Sequence, residues 1–144
     1  MKKITILILA ATLSCHALAE EKLSSIEAFK EQTAYQLMMC RIQTQIALGE
    51  VELGKTDSPW EKIGACLKAG RIETKKLFSP ALAKVSKKPT AAKLLKDYYA
   101  AWITSFNGIS PEPGERKMAY EQRQTSAEAK HDEIWNRFEI EAGF

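Results

Sequence analysis

Histidine is almost missing from this sequence: His16 and His131 are the only two in 144 residues. Hydrolytic triads and most zinc sites lean on imidazole as base or ligand, so the shortage removes whole classes of chemistry at the outset. His131 lies in "AKHDEIW" with Trp135 at i+4, so the two-histidine zinc spacing is absent. There is no C-x-x-C redox pair and no glycine-rich phosphate cradle. Glu128 and His131 have the E-x-x-H spacing of di-iron bundles, but no second copy exists. Glu50/Glu52 and Glu139/Glu141 are carboxylates two apart, which point in different directions on a helix and make no acid–base couple. Cys40 next to Arg41 is a candidate thiolate, though pairing with another cysteine explains it better. We therefore expect no catalytic residues, no metal and no cofactor.

Long apolar runs are also missing. The run near the start from Ile4 to Leu13 is ten residues without a charge, against the roughly 20 apolar residues that a helix needs to span a bilayer. With Lys2 and Lys3 before it and Ala17-Leu18-Ala19 after it, the stretch reads as an export signal cut after Ala19. Residues 1–19 are then a signal peptide and 20–144 a single helical domain, placed in a periplasm. The alternative is a lipoprotein anchored at Cys15, but Thr12 stands where a lipoprotein signal wants leucine. Either way Cys15 is removed or capped, and Cys40 and Cys66 remain. An even pair in an oxidising compartment predicts a Cys40–Cys66 disulfide.

Charge of one sign is not in excess once Lys2 and Lys3 are set aside: 19 basic residues stand against 18 acidic ones. Its distribution is uneven. From Lys68 to Lys96 there are nine basic residues and one acid, Glu73. Lys84, Lys87, Lys88 and Lys93 are the candidate contacts for anionic lipid or polysaccharide, with solvated lysines over apolar stems as the plainer reading. No nucleic-acid fold signature appears, and an exported chain seldom meets nucleic acid.

Runs of β-branched residues are absent too, and proline and glycine stand at the edges of segments rich in Ala, Leu, Lys, Glu and Gln. That pattern predicts an all-α fold, an antiparallel bundle of about four helices with the disulfide between the first two. The first helix should run from Ser24 or Ser25, where Ser24 and Glu27 have capping-box spacing, to about Leu53 before Gly54. The second should open at Ser58-Pro59-Trp60-Glu61, with Trp60, Ile63, Cys66, Leu67, Gly70 and Leu77 on its inner face. Pro80 and Pro89 bracket a turn of helix or a kinked continuation. A third helix should span about Pro89 to Phe106. A polar fourth should span Arg116 to Glu141, its apolar side carried by Met118, Tyr120, Ala127, Ile134, Trp135 and Phe138. Cys40 lies thirteen positions before Leu53 and Cys66 seven after Pro59, an offset of roughly 9 Å that the pairing has to absorb.

The first helix carries more apolar surface than one face needs. Ile26, Phe29, Thr33, Leu37, Cys40, Ala47, Leu48 and Val51 make one stripe; Tyr35, Met38, Ile42, Ile46 and Leu53 make a second, with Met39 beside it. Such a helix is either central to the bundle or presents its second stripe to another molecule. Methionine and tyrosine suit adaptable interfaces, so Tyr35, Met38, Met39, Ile42 and Ile46 are the candidate partner-binding residues. The expected partner is another envelope protein or a second copy of the chain. Trp60, Trp102 and Trp135 are expected in the core, one per helix, and His131 at a solvent-facing edge.

Overall fold

The computed structural model describes residues 24–54 and 60–143. The signal segment, Cys15 and the Ser58-Pro59 helix start lie outside the described residues. Within them the chain forms four helices and no strand: α1 (Ser25–Glu52), α2 (Trp60–Lys84), α3 (Pro89–Asn107) and α4 (Lys117–Ala142). The ends follow local chemistry. The Ser24 hydroxyl accepts the Glu27 amide at 3.3 Å and the Glu27 carboxylate accepts the Ser24 amide at 2.8 Å, a reciprocal cap on α1. Pro89 sits at the start of α3, where its missing N–H costs nothing. Gly143 ends α4 in the left-handed region at φ 80°. Pro80 does not break α2, which continues to Lys84.

The helices pair as two antiparallel hairpins, α1 with α2 and α3 with α4, each closely packed. A Cys40–Cys66 disulfide, Cα–Cα 5.7 Å, staples the first. The expected offset is real: α1 runs twelve residues past Cys40 while α2 begins six before Cys66, so α1 overhangs by roughly 9 Å. The overhang leaves Val51 and Leu53 exposed, although Val51 belongs to the inward stripe by spacing. Closing 26 positions with a covalent bond restricts the unfolded chain enough to be worth about 3–4 kcal/mol by the chain-entropy model.

Two apolar clusters run down the axis. One joins Ile26 and Phe29 of α1, Ala81 and Val85 after the α2 proline, Leu94, Leu95 and Tyr98 of α3, and Trp135 and Phe138 of α4. The other joins Cys40 and Ala47, Ile63 and Leu67, and Trp102, Phe106 and Ile109. α3 is the common post. Its aromatic rings stack from Tyr99 through Trp102 to Phe106, with Trp102–Phe106 centroids 4.6 Å apart. Thr33, counted with the apolar stripe by spacing alone, is fully buried but satisfied: its hydroxyl lies 2.7 Å from the Tyr98 hydroxyl and its carbonyl accepts Trp102 Nε1–H at 3.0 Å.

Three expectations fail here. Trp60 is 40% exposed at the first described turn of α2, where with Leu48, Val51 and the 110–115 loop it lines an open surface hollow. Met118 is 81% exposed, and the inner line of α4 is instead Tyr120, Gln124, His131, Trp135 and Phe138. His131 is not at a wet edge. It is buried at 4% exposure against α3, beside Ser105 and the Tyr98 ring.

Candidate functional site

The adjacent helices that pack most loosely are α1 and α4. Between them lies a cleft of about 550 Å³. Its cause is a mismatch of side chains. α1 sends Tyr35, Met38 and Ile42 toward it, and α4 sends Gln124, Glu128, His131 and Asp132. Apolar groups facing carboxylates cannot bury each other without stripping the acids of water. The helices are strapped at two points instead, by Arg41 to Glu128 at 2.9 Å and Lys30 to Asp132 at 3.8 Å.

Polar groups line the bottom. His131 Nδ1 lies 3.4 Å from Ser105 Oγ, and His131 Nε2 lies 3.4 Å from Asp132 Oδ1. Serine, histidine and aspartate in that order have the makings of an activated nucleophile, but the Ser105 hydroxyl has one proton and also lies 3.2 Å from the Ala127 carbonyl. A spacing of 3.4 Å exceeds the roughly 2.6–3.2 Å over which proton transfer is efficient. Burial pushes the His131 pKa below its ordinary value; Asp132 and Glu128 pull it up, and Lys30 pushes it down. Burial likewise lowers the Lys30 pKa against the pull of Asp132 and Glu139. The Lys30 ammonium also sits 4.5 Å from the centroid of the Trp135 ring and 5.3 Å from that of Tyr98. Among the described residues no group of His, Cys, Asp and Glu could hold a metal ion.

The candidate partner-binding residues fall together on the open side of α1. Tyr35 is 51% exposed, Met38 52%, Ile42 43% and Ile46 58%, while Met39 is half-buried. α1 is therefore not central to the bundle, and its second stripe faces out. What spacing did not reveal is the cleft beside that stripe, because its far wall is set by the rotation of α4, seventy and more residues away.

The four candidate lysines sit at the other end, around the α2–α3 turn, and two of them have internal partners. Lys88 Nζ donates to the Ala142 carbonyl at 2.5 Å, holding the end of α4, and Lys93 pairs with Asp97 at 2.6 Å. Trp102 and Trp135 are core residues; with Trp60 exposed, the three tryptophans do not enclose a common site. No helix among the described residues is long and apolar enough to cross a membrane. No protein-family model, no curated protein and no solved structure matches this chain.

Proposed function

We propose that this chain is an exported, periplasmic, non-enzymatic binding protein that works by protein–protein contact, in the manner of an immunity protein, chaperone or adaptor. The observation that supports the reading is the row of half-exposed apolar side chains on α1, Tyr35, Met38, Ile42 and Ile46, beside the α1/α4 cleft. Single exposed apolar residues are ordinary on a protein surface, but a contiguous row at helical spacing marks an interaction face. The disulfide keeps α1 rigid against α2, so the row is presented without an ordering cost on binding.

The test is a photo-reactive residue at Ile42 in the full-length chain expressed in a bacterial host. A discrete cross-linked protein adduct in the periplasmic fraction, lost when the probe is moved to Lys68 on α2, is the expected result. Illumination that yields no protein adduct would overturn the reading. The intact mass of the same material checks export: a chain beginning at Glu20 is expected, and an uncut chain would remove the periplasmic assignment.

A further inference from the structure

We infer that the outer face of α2 docks on an anionic lipid surface, with Ile72 entering the interface and Lys68, Arg71, Lys75 and Lys76 around it holding headgroups; the inference does not depend on the α1 row. The face is defined by what the bundle buries. Ile63, Leu67, Gly70, Thr74 and Ala81 turn inward, so the opposite side of the helix carries Lys68, Ala69, Ile72, Lys75, Lys76 and Ser79, all exposed. Ile72 is 48% exposed. Its neighbours three and four residues away, the positions that share a helix face with it, are Lys68, Ala69, Lys75 and Lys76. A single exposed apolar side chain is ordinary. One ringed by three lysines, with Arg71 beside it, has the composition of a helix lying in a membrane interface, where an apolar group enters the acyl boundary and cations meet the headgroups.

The positive charge on this face is not compensated within the chain. From Lys68 to Lys84 there are five cations and one acid, Glu73, whose carboxylate is taken by Lys76 at 2.7 Å. Among the described residues Lys68, Arg71 and Lys75 form no ion pair. They stand at i, i+3 and i+7 and repel one another along one stripe, a cost that an anionic surface removes. At the α2–α3 turn, by contrast, Lys88 is tied to the Ala142 carbonyl and Lys93 to Asp97. The rest of the molecule favours the same orientation. α1 has four acids to two bases and α4 six to four, so a negative surface repels those helices and attracts α2. Shape selects a plane over a pocket. From Lys68 to Lys84 the stripe is about 24 Å long at 1.5 Å per residue. The exposed positions between its cations include Ala69, Ser79 and Ala83, short enough for a flat surface to meet the helix along its length. A soluble polyanion would satisfy the lysines and leave Ile72 in water; a bilayer accommodates both.

The experiment is co-sedimentation of the mature, oxidised chain with vesicles of phosphatidylcholine, alone or mixed with phosphatidylglycerol. Binding is expected to the mixed vesicles only, and should fall steeply as salt is raised. Lys68→Glu with Lys75→Glu should weaken it by about a hundredfold or more, since each charge near the surface is worth about fivefold and the pair changes four. Lys117→Glu with Lys130→Glu on α4 removes the same net charge and should weaken it far less. All four lysines are exposed, so the circular dichroism spectrum should not change in either variant. An environment-sensitive fluorophore on Ile72→Cys should shift to the blue on the mixed vesicles, and the same fluorophore on Lys130→Cys should not. Indifference to the mixed vesicles overturns the inference, as do equal binding to phosphatidylcholine alone, equal losses from the two pairs of reversals, and an unshifted probe at position 72. A chain retained by immobilised heparin but not by the mixed vesicles also overturns it, and would give this face to a soluble polyanion.

Discussion

Gly70 offers a sharp test of the packing between the two hairpins. It is buried on α2 where that helix meets α3, and a Cβ added there would lie 2.5 Å from Phe106 Cζ and 2.9 Å from Gln36 Oε1. The glutamine end can swing away. Phe106 cannot: it is fully buried and stacked on Trp102, whose Nε1–H is tied to the Thr33 carbonyl. Helix propensity alone says that Gly70→Ala should stabilise α2 by about 1 kcal/mol. Overpacking costs about 1–3 kcal/mol, and a 2.5 Å approach to a ring that cannot move belongs in the upper part of that range, about 2–3 kcal/mol, so a net loss of about 1–2 kcal/mol is expected. For a chain of this size that lowers Tm by about 3–8 °C. Gly64 is the control. It lies on the same helix, is exposed and has nothing within 4 Å of its built Cβ, so Gly64→Ala should gain the propensity term of about 1 kcal/mol undiminished. Thermal and urea unfolding of the oxidised protein read both. A Gly70→Ala variant as stable as the parent would show that α2 and α3 do not pack as described.

Two further outcomes follow from buried charge and polarity. The His131 pKa is lowered from 6.5 in the folded chain, so between that value and the folded one the unfolded chain binds more protons and stability falls as pH falls. His131→Gln should flatten the dependence of the urea midpoint in that window and leave the separate loss below about pH 4.5 intact; a variant with the parental profile would contradict the burial. Arg123 donates from Nε and Nη2 to the Glu115 carboxylate, at 2.8 and 2.6 Å, and from Nη1 to the Gly108 carbonyl at 2.5 Å, tying the 108–116 loop to α4. Arg123→Ala should cost about 1–2 kcal/mol in urea unfolding, since it removes the charged donors of Glu115, leaving that carboxylate only the Glu112 amide, and leaves the Gly108 carbonyl only Gln124 Nε2–H.

The bundle was legible in the sequence because its signals are local. Ser24 and Glu27, Pro89, Asn107-Gly108 and the 3.6-residue stripes each act within a turn or two, and the helix ends fall within a residue or two of where those signals place them. The disulfide followed from parity and an expected compartment rather than from geometry. What escaped depends on how distant segments are set against one another. Val51 has the right spacing for burial but lies on the part of α1 that runs past α2, and Trp60, level with α1, still opens onto a surface hollow lined by the 110–115 loop. His131, flanked by Lys130 and Asp132, looks like a surface residue in one dimension. Its burial follows from the rotation of α4 that also buries Trp135 and Phe138.

That rotation also explains why one seam of the bundle stays open. α4 has one strong apolar stripe, and α3 takes it: Trp135 meets Tyr98 edge to face and packs on Phe138, with ring centroids 4.9 and 5.0 Å apart. Once that face is committed, the side of α4 left toward α1 is Gln124, Glu128 and Asp132. α1 has meanwhile spent its inner stripe on α2 and α3, through Phe29, Thr33, Cys40 and Ala47. Its second stripe therefore meets acids where a closed bundle would supply leucines. Replacing Glu128 and Asp132 by leucine together would give Tyr35, Met38 and Ile42 an internal partner. The variant should gain stability to urea by about 1 kcal/mol, since two leucines covered on closing the cleft contribute about 1.5–3 kcal/mol each, and this exceeds the loss of two half-exposed ion pairs together with the cost of leaving the partly covered Lys30 and Arg41 unpaired. It should also lose the Ile42 photo-adduct that the open row is expected to give. Stability rising while association falls is the signature of a face kept apart from its own core; both changing in the same direction would mean that the row and the cleft do not act together.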